Sequence, residues 1–275
     1  MYEDVLIATD GSDVAADAAT TGISIAETLD AAVRVLSVVE SGRDNPARRD
    51  RCEAAAESIA TRARDAGCDA DTLVRSGRPA SEILAAADEA DTDLIVVGTY
   101  GRTGLKQVLL GSVALEVIRD AHRPVLSVGP DVDWDEERAI DDILLATDGW
   151  TGSVAATDEA LSLAEAVDAD LHTLYAVDVN PESPKLQESI EEHGEQTTRA
   201  VADRAAERGV EATQTIDYGP PSEIILEYAA DKPIDLLVMG TESKSNLERL
   251  VVGSVSQRVV PNATVPVMTV RTIDE

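Results

Sequence analysis

The 275-residue chain contains no phenylalanine, two tryptophans, two cysteines and only four lysines, Lys106, Lys185, Lys232 and Lys244. Its 23 basic residues face 53 acidic ones, a formal net charge of −30. A chain this acidic repels nucleic-acid phosphates and anionic membrane surfaces, so neither is an expected partner. The carboxylates form no block or tail; they are spread along every helical segment. Few lysines, no phenylalanine, much alanine and dispersed Asp and Glu fit adaptation to a high-salt cytoplasm, where screening removes the self-repulsion. Long apolar runs are lacking too, and no segment approaches the ~20 residues of a membrane span. Glu3 and Asp4 stand where a cationic leader would begin, so a soluble, cytoplasmic protein is expected. Cys52 and Cys68 lie at the start and just past the end of one helical pattern. They form no CxxC, and no histidine or second cysteine pair completes a zinc set. They read as small fillers in a reducing compartment.

Several site chemistries are absent as well. No GxGxxG follows the first apolar run of either half, and no GxxxxGK[ST] or GxSxG occurs. His122, His172 and His193 read as isolated surface or helix-end residues, and Trp134 and Trp150 as packing residues.

What the chain does contain, it contains twice. Ala8-Thr-Asp10-Gly11 returns as Ala146-Thr-Asp148-Gly149, an offset of 138. Gly98 and Gly111 return as Gly240 and Gly253, and Arg123-Pro-Val125 as Val265-Pro-Val267, both at an offset of 142. An offset broken only by a few extra residues in the second copy indicates duplication, with a period far too long for a solenoid. Domains are expected at 1–130 and 142–275, joined by a linker at 131–141 with several acids.

Each half alternates strands and helices. In the first, strands are expected at Asp4–Thr9, Val33–Val39, Thr72–Arg75, Leu94–Gly98 and Val125–Val128. Helices are expected at Val14–Leu29, Pro46–Ala66, Pro79–Ala90 and Ser112–Ala121. The second half repeats the pattern from Asp142 to Val270. Continuous apolar strands between amphipathic helices predict an α/β fold of two tandem doubly wound domains, each a parallel sheet covered on both faces. In such a sheet ligands sit at the carboxyl ends of the strands, where the winding reverses. For strand order 3-2-1-4-5 the reversal brings Asp10, at the end of the first strand, beside Gly98, at the end of the fourth.

The loop Gly98-Thr-Tyr-Gly101, followed after nine residues by Gly111-Ser112, has the form of an anion site. A strand, a glycine-flanked loop and a helix N-terminus present free backbone N–H groups to a negative ligand, typically a phosphate. Gly98 would bring the backbone close to the ligand, and Gly101 and Gly104 would permit the turn. Gly111-Ser112 opens a helix, while Arg102 and Lys106 supply positive charge. From Leu94 to Leu115 there is no acid, where about four would be expected for that length. Asp10 is read either as an N-cap or as a contact to a ribose, a base or a metal near the phosphates. Val38 and its neighbours could cover an adenine.

These residues, Asp10 ending a first strand and Gly98-x2-Gly101-x9-Gly111-Ser112, resemble the ATP-binding signature of the universal stress protein family. Gly77-Arg-Pro79-Ala-Ser-Glu-Ile83 and Arg123-Pro-Val-Leu-Ser-Val128 extend the resemblance over nearly both halves. It implies a five-stranded parallel sheet in each domain, with ATP at the strand ends and subunits pairing through their last strands. It further implies that Ala8, Thr9, Asp10, Val38 and Val97 line the adenosine pocket. Gly98, Gly101, Arg102, Gly111, Ser112 and Val113 would hold the phosphates and ribose, with Mg2+ accompanying ATP. The second half departs from the pattern. Ser243 replaces the second glycine, and Glu242 and Glu248 put acids in the loop, while Asp148, Gly240, Gly253 and Ser254 remain. A second, weaker site is the expectation there.

Three functions compete. The first is a non-enzymatic, ATP-binding stress-response or regulatory protein, its halves paired as an internal pseudo-dimer and the whole chain open to further homodimerisation. The second is an adenylating enzyme of the ATP-pyrophosphatase kind, whose SGGxDS-like loop Thr9-Asp-Gly-Ser12 matches poorly. The third is a tandem structural module that binds no nucleotide.

Overall fold

In a parallel sheet covered by helices both faces of an inner strand are buried, so uninterrupted apolar runs become the central strands. Strand β1 (Asp4–Thr9) is buried from Val5 onward and β4 (Leu94–Gly98) from Leu94 to Val97. The structure, a computed structural model, describes residues 2–42, 45–100, 110–135, 138–178, 184–241 and 252–272. The chain divides into two compact units, Met1–Arg138 and Ala139–Glu275.

In the first unit β1, β2 (Ala32–Glu40), β3 (Ala70–Gly77), β4 and β5 (Val125–Val128) lie in the order β3-β2-β1-β4-β5, all parallel. Helix α1 (Asp13–Thr28) packs against β1 and β4 and touches α2 (Pro46–Asp65), which lies over β2 and β3. Helices α3 (Pro79–Glu89) and α4 (Ser112–Asp120) pack together, so each face of the sheet carries one helix pair. Leu6, Ile7, Leu36, Ile95 and Leu126 form the fully buried centre. Strand β3 is longer than the four residues expected, because it pairs with β2 from Val33↔Ala70 to Glu40↔Gly77. As the outer strand beside β2 it is half-exposed, and its polar residues hide the strand pattern.

The second unit repeats the plan. Strands β6 (Asp142–Ala146), β7 (Asp170–Val177), β8 (Ala212–Tyr218), β9 (Leu236–Gly240) and β10 (Val267–Val270) lie in the order β8-β7-β6-β9-β10, again all parallel. Helix α5 (Thr151–Val167) touches α6 (Pro184–Glu207), and α7 (Pro221–Asp231) touches α8 (Ser254–Val259). Helix α8 is shorter than α4 because Pro261 stands where α4 has Arg119, and proline cannot continue a helix.

The amino ends of the two sheets are tied alike. The Asp93 carboxylate accepts from the N–H groups of Glu3 and Asp4 at 2.7 and 3.0 Å. Asp235 accepts from those of Asp141 and Asp142 at 2.9 and 3.0 Å. No helix among the described residues is long and apolar enough to cross a membrane.

Candidate functional site

The turn after β1 is built from its own side chains. Thr9 Oγ1 accepts from Gly11 N–H at 3.1 Å, and the Asp10 carboxylate accepts from Ser12 N–H at 2.9 Å. Gly11 takes φ +76°, a left-handed conformation that glycine adopts without strain. Ser12, not Asp10, caps α1, its hydroxyl accepting from Ala15 N–H at 3.3 Å. The Asp10 carboxylate therefore shapes the turn at the strand end and leaves the capping to its neighbour.

The segment between β4 and α4 returns on itself. Thr99 N–H donates to Val128 O at 2.9 Å, and Gly111 N–H donates to Thr99 O at 2.8 Å. A Cβ on Gly111 would stand 2.9 Å from that same carbonyl oxygen, closer than side chains tolerate. A Cβ on Gly98 would stand 3.1 Å from the carbonyl oxygen of Val14. The neighbour that Gly98 admits here is thus helix α1, where the sequence suggested the ligand. Gly111 is the N-cap of α4 and offers no side-chain cap, so the first-turn N–H groups are left for another acceptor. Thr99 is fully buried, and its hydroxyl has no hydrogen-bond partner among the described residues.

These pieces face a cavity of about 370 Å³, within the range of small-molecule sites. It lies at the carboxyl ends of β1, β2 and β4, beside the N-terminus of α4. Of the residues singled out in the sequence, Ala8, Thr9, Asp10, Val38, Val97, Gly98, Gly111, Ser112 and Val113 line it. Gly101 and Arg102 lie outside the described residues, as do Gly104, Lys106, Glu242, Ser243 and Glu248. The wall also contains residues the sequence reading passed over: Glu40, Arg48, Arg51 and Cys52, with Pro79, Ile83, Thr99 and Tyr100. Arg48, Arg51 and Cys52 share one face of α2 at i, i+3, i+4 spacing, the pattern that could have revealed them. Cys52 is half-buried on this wall, whereas Cys68 lies beyond the end of α2. Burial, then Glu27 and Asp30, push the Cys68 thiol above its ordinary range.

The corresponding end of the second unit is built differently. Asp148 follows β6, Gly240 ends β9, and Gly253-Ser254 opens α8, the same topological positions as in the first unit. The backbone returns recur, with Thr241 N–H to Val270 O at 3.0 Å and Gly253 N–H to Thr241 O at 2.7 Å. Helices α2 and α6 end at Asp65 and Glu207, an offset of 142, so His193 stands where α2 has Arg51 and Ile190 where it has Arg48. His193 is not isolated. Its Nε2 lies 3.1 Å from Asp148 O, and its ring centroid lies 5.1 Å from Trp150 and 5.8 Å from Tyr175. A Cβ on Gly149 would meet Thr197 Oγ1 at 2.3 Å and His193 Nε2 at 2.8 Å; one on Gly11 would meet only Ala55 Cβ at 3.5 Å. Helix α6 thus presses on the β6 turn more closely than α2 presses on the β1 turn. Burial, then the Asp148 carboxylate, push the Tyr175 phenol above its ordinary range. His172 is not isolated either. It sits between Asp142, 2.7 Å from Nε2, and the Tyr228 hydroxyl, 3.0 Å from Nδ1.

Comparison with known proteins agrees with this architecture. The model of the universal stress protein family matches residues 1–129 and again 139–271. A universal stress protein of Methanocaldococcus jannaschii is 36% identical over 137 residues, 47% of this chain and 81% of that protein. One from Mycolicibacterium smegmatis is 32% identical over 214 residues, 74% of this chain and 70% of that protein. The crystal structure of a universal stress protein from Archaeoglobus fulgidus superposes with a TM-score of 0.71 at 21% identity, covering 98% of this chain and 97% of that one. With one family match on each unit and one fold repeated in both, the chain belongs to the universal stress protein family.

Proposed function

We propose that the first unit binds ATP at the cavity above β1, β2 and β4, and that the protein acts in a stress-response or regulatory role as a binding protein rather than as an enzyme. One observation carries this reading: nine residues expected to hold the nucleotide, drawn from four separate segments, converge on one cavity. The uncapped N-terminus of α4 faces it with N–H donors. Val38 and Val97 give the adenine an apolar wall, Asp10 stands near the ribose, and the N–H groups after Gly111 meet the phosphates.

Mg2+ fits as an ion brought by ATP. Among the described residues no group of three or more His, Cys, Asp or Glu could hold a metal. Asp10 and Glu40 are the carboxylates on the described wall. Mg2+ commonly binds through one or two carboxylates together with substrate phosphates and waters. Bound there, the ion would offset phosphate charge, while Asp10 would accept from its waters.

In the second unit we propose binding that is about tenfold to a hundredfold weaker, from the acids Glu242 and Glu248 and the Ser243 replacement in its loop. Calorimetric titration with Mg-ATP, with mass spectrometry of the native protein, tests the binding. One tight site per chain is expected. Absence of nucleotide binding overturns the reading in favour of a structural module, and pyrophosphate release with a co-substrate overturns it in favour of an adenylating enzyme.

A further inference from the structure

Helix α2 starts at a firm N-cap, the Asn45 side chain accepting from Arg48 N–H at 3.0 Å with Pro46 in the first turn. This start sets the first turns of α2 so that Arg48 and Arg51 both face the cavity. Several other arginines of this acidic chain pair with carboxylates: Arg34 with Asp71, Arg64 with Glu57, Arg75 with Glu82 and Glu89, Arg78 with Glu116. Arg49, adjacent to Arg48 but turned away from the cavity, pairs with Glu53 at 3.2 Å. Arg48 and Arg51 pair with no carboxylate among the described residues. Arg51 Nε donates to Ala47 O at 3.0 Å. At a net charge of −30, two guanidinium groups that pair with no described carboxylate, although Asp10 and Glu40 line the same cavity, are matched to an anion from outside the chain. Their counterparts in the second unit, Ile190 and His193, offer no such pair.

We propose that Arg48 and Arg51 form a second anion-binding element, which holds the phosphates of a nucleoside polyphosphate beyond the one met by the α4 N-terminus. The proposal rests on the nucleotide reading of this cavity and adds a ligand class to it. The first unit then distinguishes ligands by phosphate count, since a nucleoside or monophosphate satisfies the α4 N–H groups at most and leaves the α2 pair unused. Guanidinium groups suit this role because they stay charged and can grip a phosphate with two parallel hydrogen bonds.

The test is a titration of the full chain with Mg-ATP, Mg-ADP, AMP and adenosine, at a salt concentration where every variant is folded by circular dichroism. Arg48→Gln and Arg51→Gln should each weaken ATP by about tenfold and adenosine by less than about twofold, the loss for ADP lying between. Arg49→Gln, on the outer side of α2, should leave all four ligands unchanged. Unchanged ATP affinity in both cavity variants, with the native chain binding ATP, overturns this proposal alone. An equal loss for ATP and adenosine also overturns it, because the arginines would then be stacking on the base. A native chain that binds no nucleotide overturns the nucleotide reading and this proposal with it.

Discussion

At one position of a duplicated helix the two units carry Arg51 and His193, and the spaces these residues face differ accordingly. Arg51 lines a cavity, with Ala55 one turn on resting against Gly11. His193 lies beside Trp150 and Tyr175 and reaches Asp148 O, with Thr197 one turn on crowding Gly149. Where Ser12 and Ser37 stand in the first unit, Trp150 and Tyr175 stand in the second. The far ends of the sheets have not diverged in this way. Asp93 and Asp235 make the same pair of backbone contacts, and Arg62 and Arg204 reach from α2 and α6 to Thr20 and Asp158 at matching positions of α1 and α5. The contrast separates what the fold requires from what each copy builds above its strand ends. Contacts that tie the strand starts and join neighbouring helices persist in both copies, while residues above the strand ends were free to become a cavity wall in one copy and a packed cluster in the other.

The largest effect expected falls on both units together. Met1–Arg138 carries 27 acids against 14 cations, a charge of −13, and Ala139–Glu275 carries 26 against 9, a charge of −17. Screening such repulsion between dilute buffer and molar KCl should raise the thermal midpoint on the order of 10 °C. A midpoint that stays flat with salt removes the high-salt reading.

A second experiment breaks the symmetry. Gly111→Val puts side-chain atoms against the Thr99 carbonyl oxygen at the start of α4, where a Cβ alone would stand at 2.9 Å. ATP affinity should fall by about a hundredfold or more, as for loss of a well-placed anion site. Gly253→Val in the second unit should leave the tight site intact. Equal losses from both substitutions would show that the units bind alike.

A third experiment reads the first unit through its own chemistry. Cys52 lines the cavity, and its counterpart on α6 is Gly194, so alkylation there reports one unit only. Mg-ATP should slow Cys52 labelling by about tenfold through burial of the thiol. Cys68, raised by burial and by Glu27 and Asp30, should react slowly at neutral pH and speed up as pH rises through its elevated range, with or without ATP. Labelling of Cys52 that ignores saturating ATP would remove the nucleotide from this cavity.

Much of the plan was legible from apolar runs, since β4, β9 and the stretch of β1 from Val5 to Ala8 have no polar residue to confuse the pattern. Strand β3 was read short because its half-exposed position allows Asp71, Arg75 and Ser76 within it. The cavity wall divides in the same way. Residues at strand ends and helix starts are fixed by topology, so Asp10, Val38, Gly98 and Gly111 could be named from spacing alone. Arg48 and Arg51 are harder to name, because α2 offers five arginines in sequence and only the i, i+3, i+4 spacing of Arg48, Arg51 and Cys52 marks the face that turns inward. His193 read as isolated because its partners, Trp150 and Tyr175, belong to other segments and meet it only across the fold.

The smallest effect expected sharpens the comparison most, because it sets the same helix position against itself. His193→Ala removes a ring that contacts two aromatic side chains and lies in hydrogen-bonding range of Asp148 O. Its loss leaves a partly buried void beside Tyr175 and should destabilise the protein by about 1–3 kcal/mol. Arg51→Ala removes an exposed side chain whose hydrogen bond among the described residues goes to Ala47 O. It should change stability by about 0.5 kcal/mol or less, in the range of ordinary surface substitutions. ATP binding should respond in the opposite sense, weakened by Arg51→Ala and unaffected by His193→Ala. Thermal unfolding and calorimetric titration of the two variants, side by side, give the four numbers needed. If Arg51→Ala proves as destabilising as His193→Ala, Arg51 is part of the packing and its place on the cavity is incidental. If His193→Ala costs nothing in stability, the aromatic cluster is not what fills the second unit, and the difference between the units must lie in the loop charges alone.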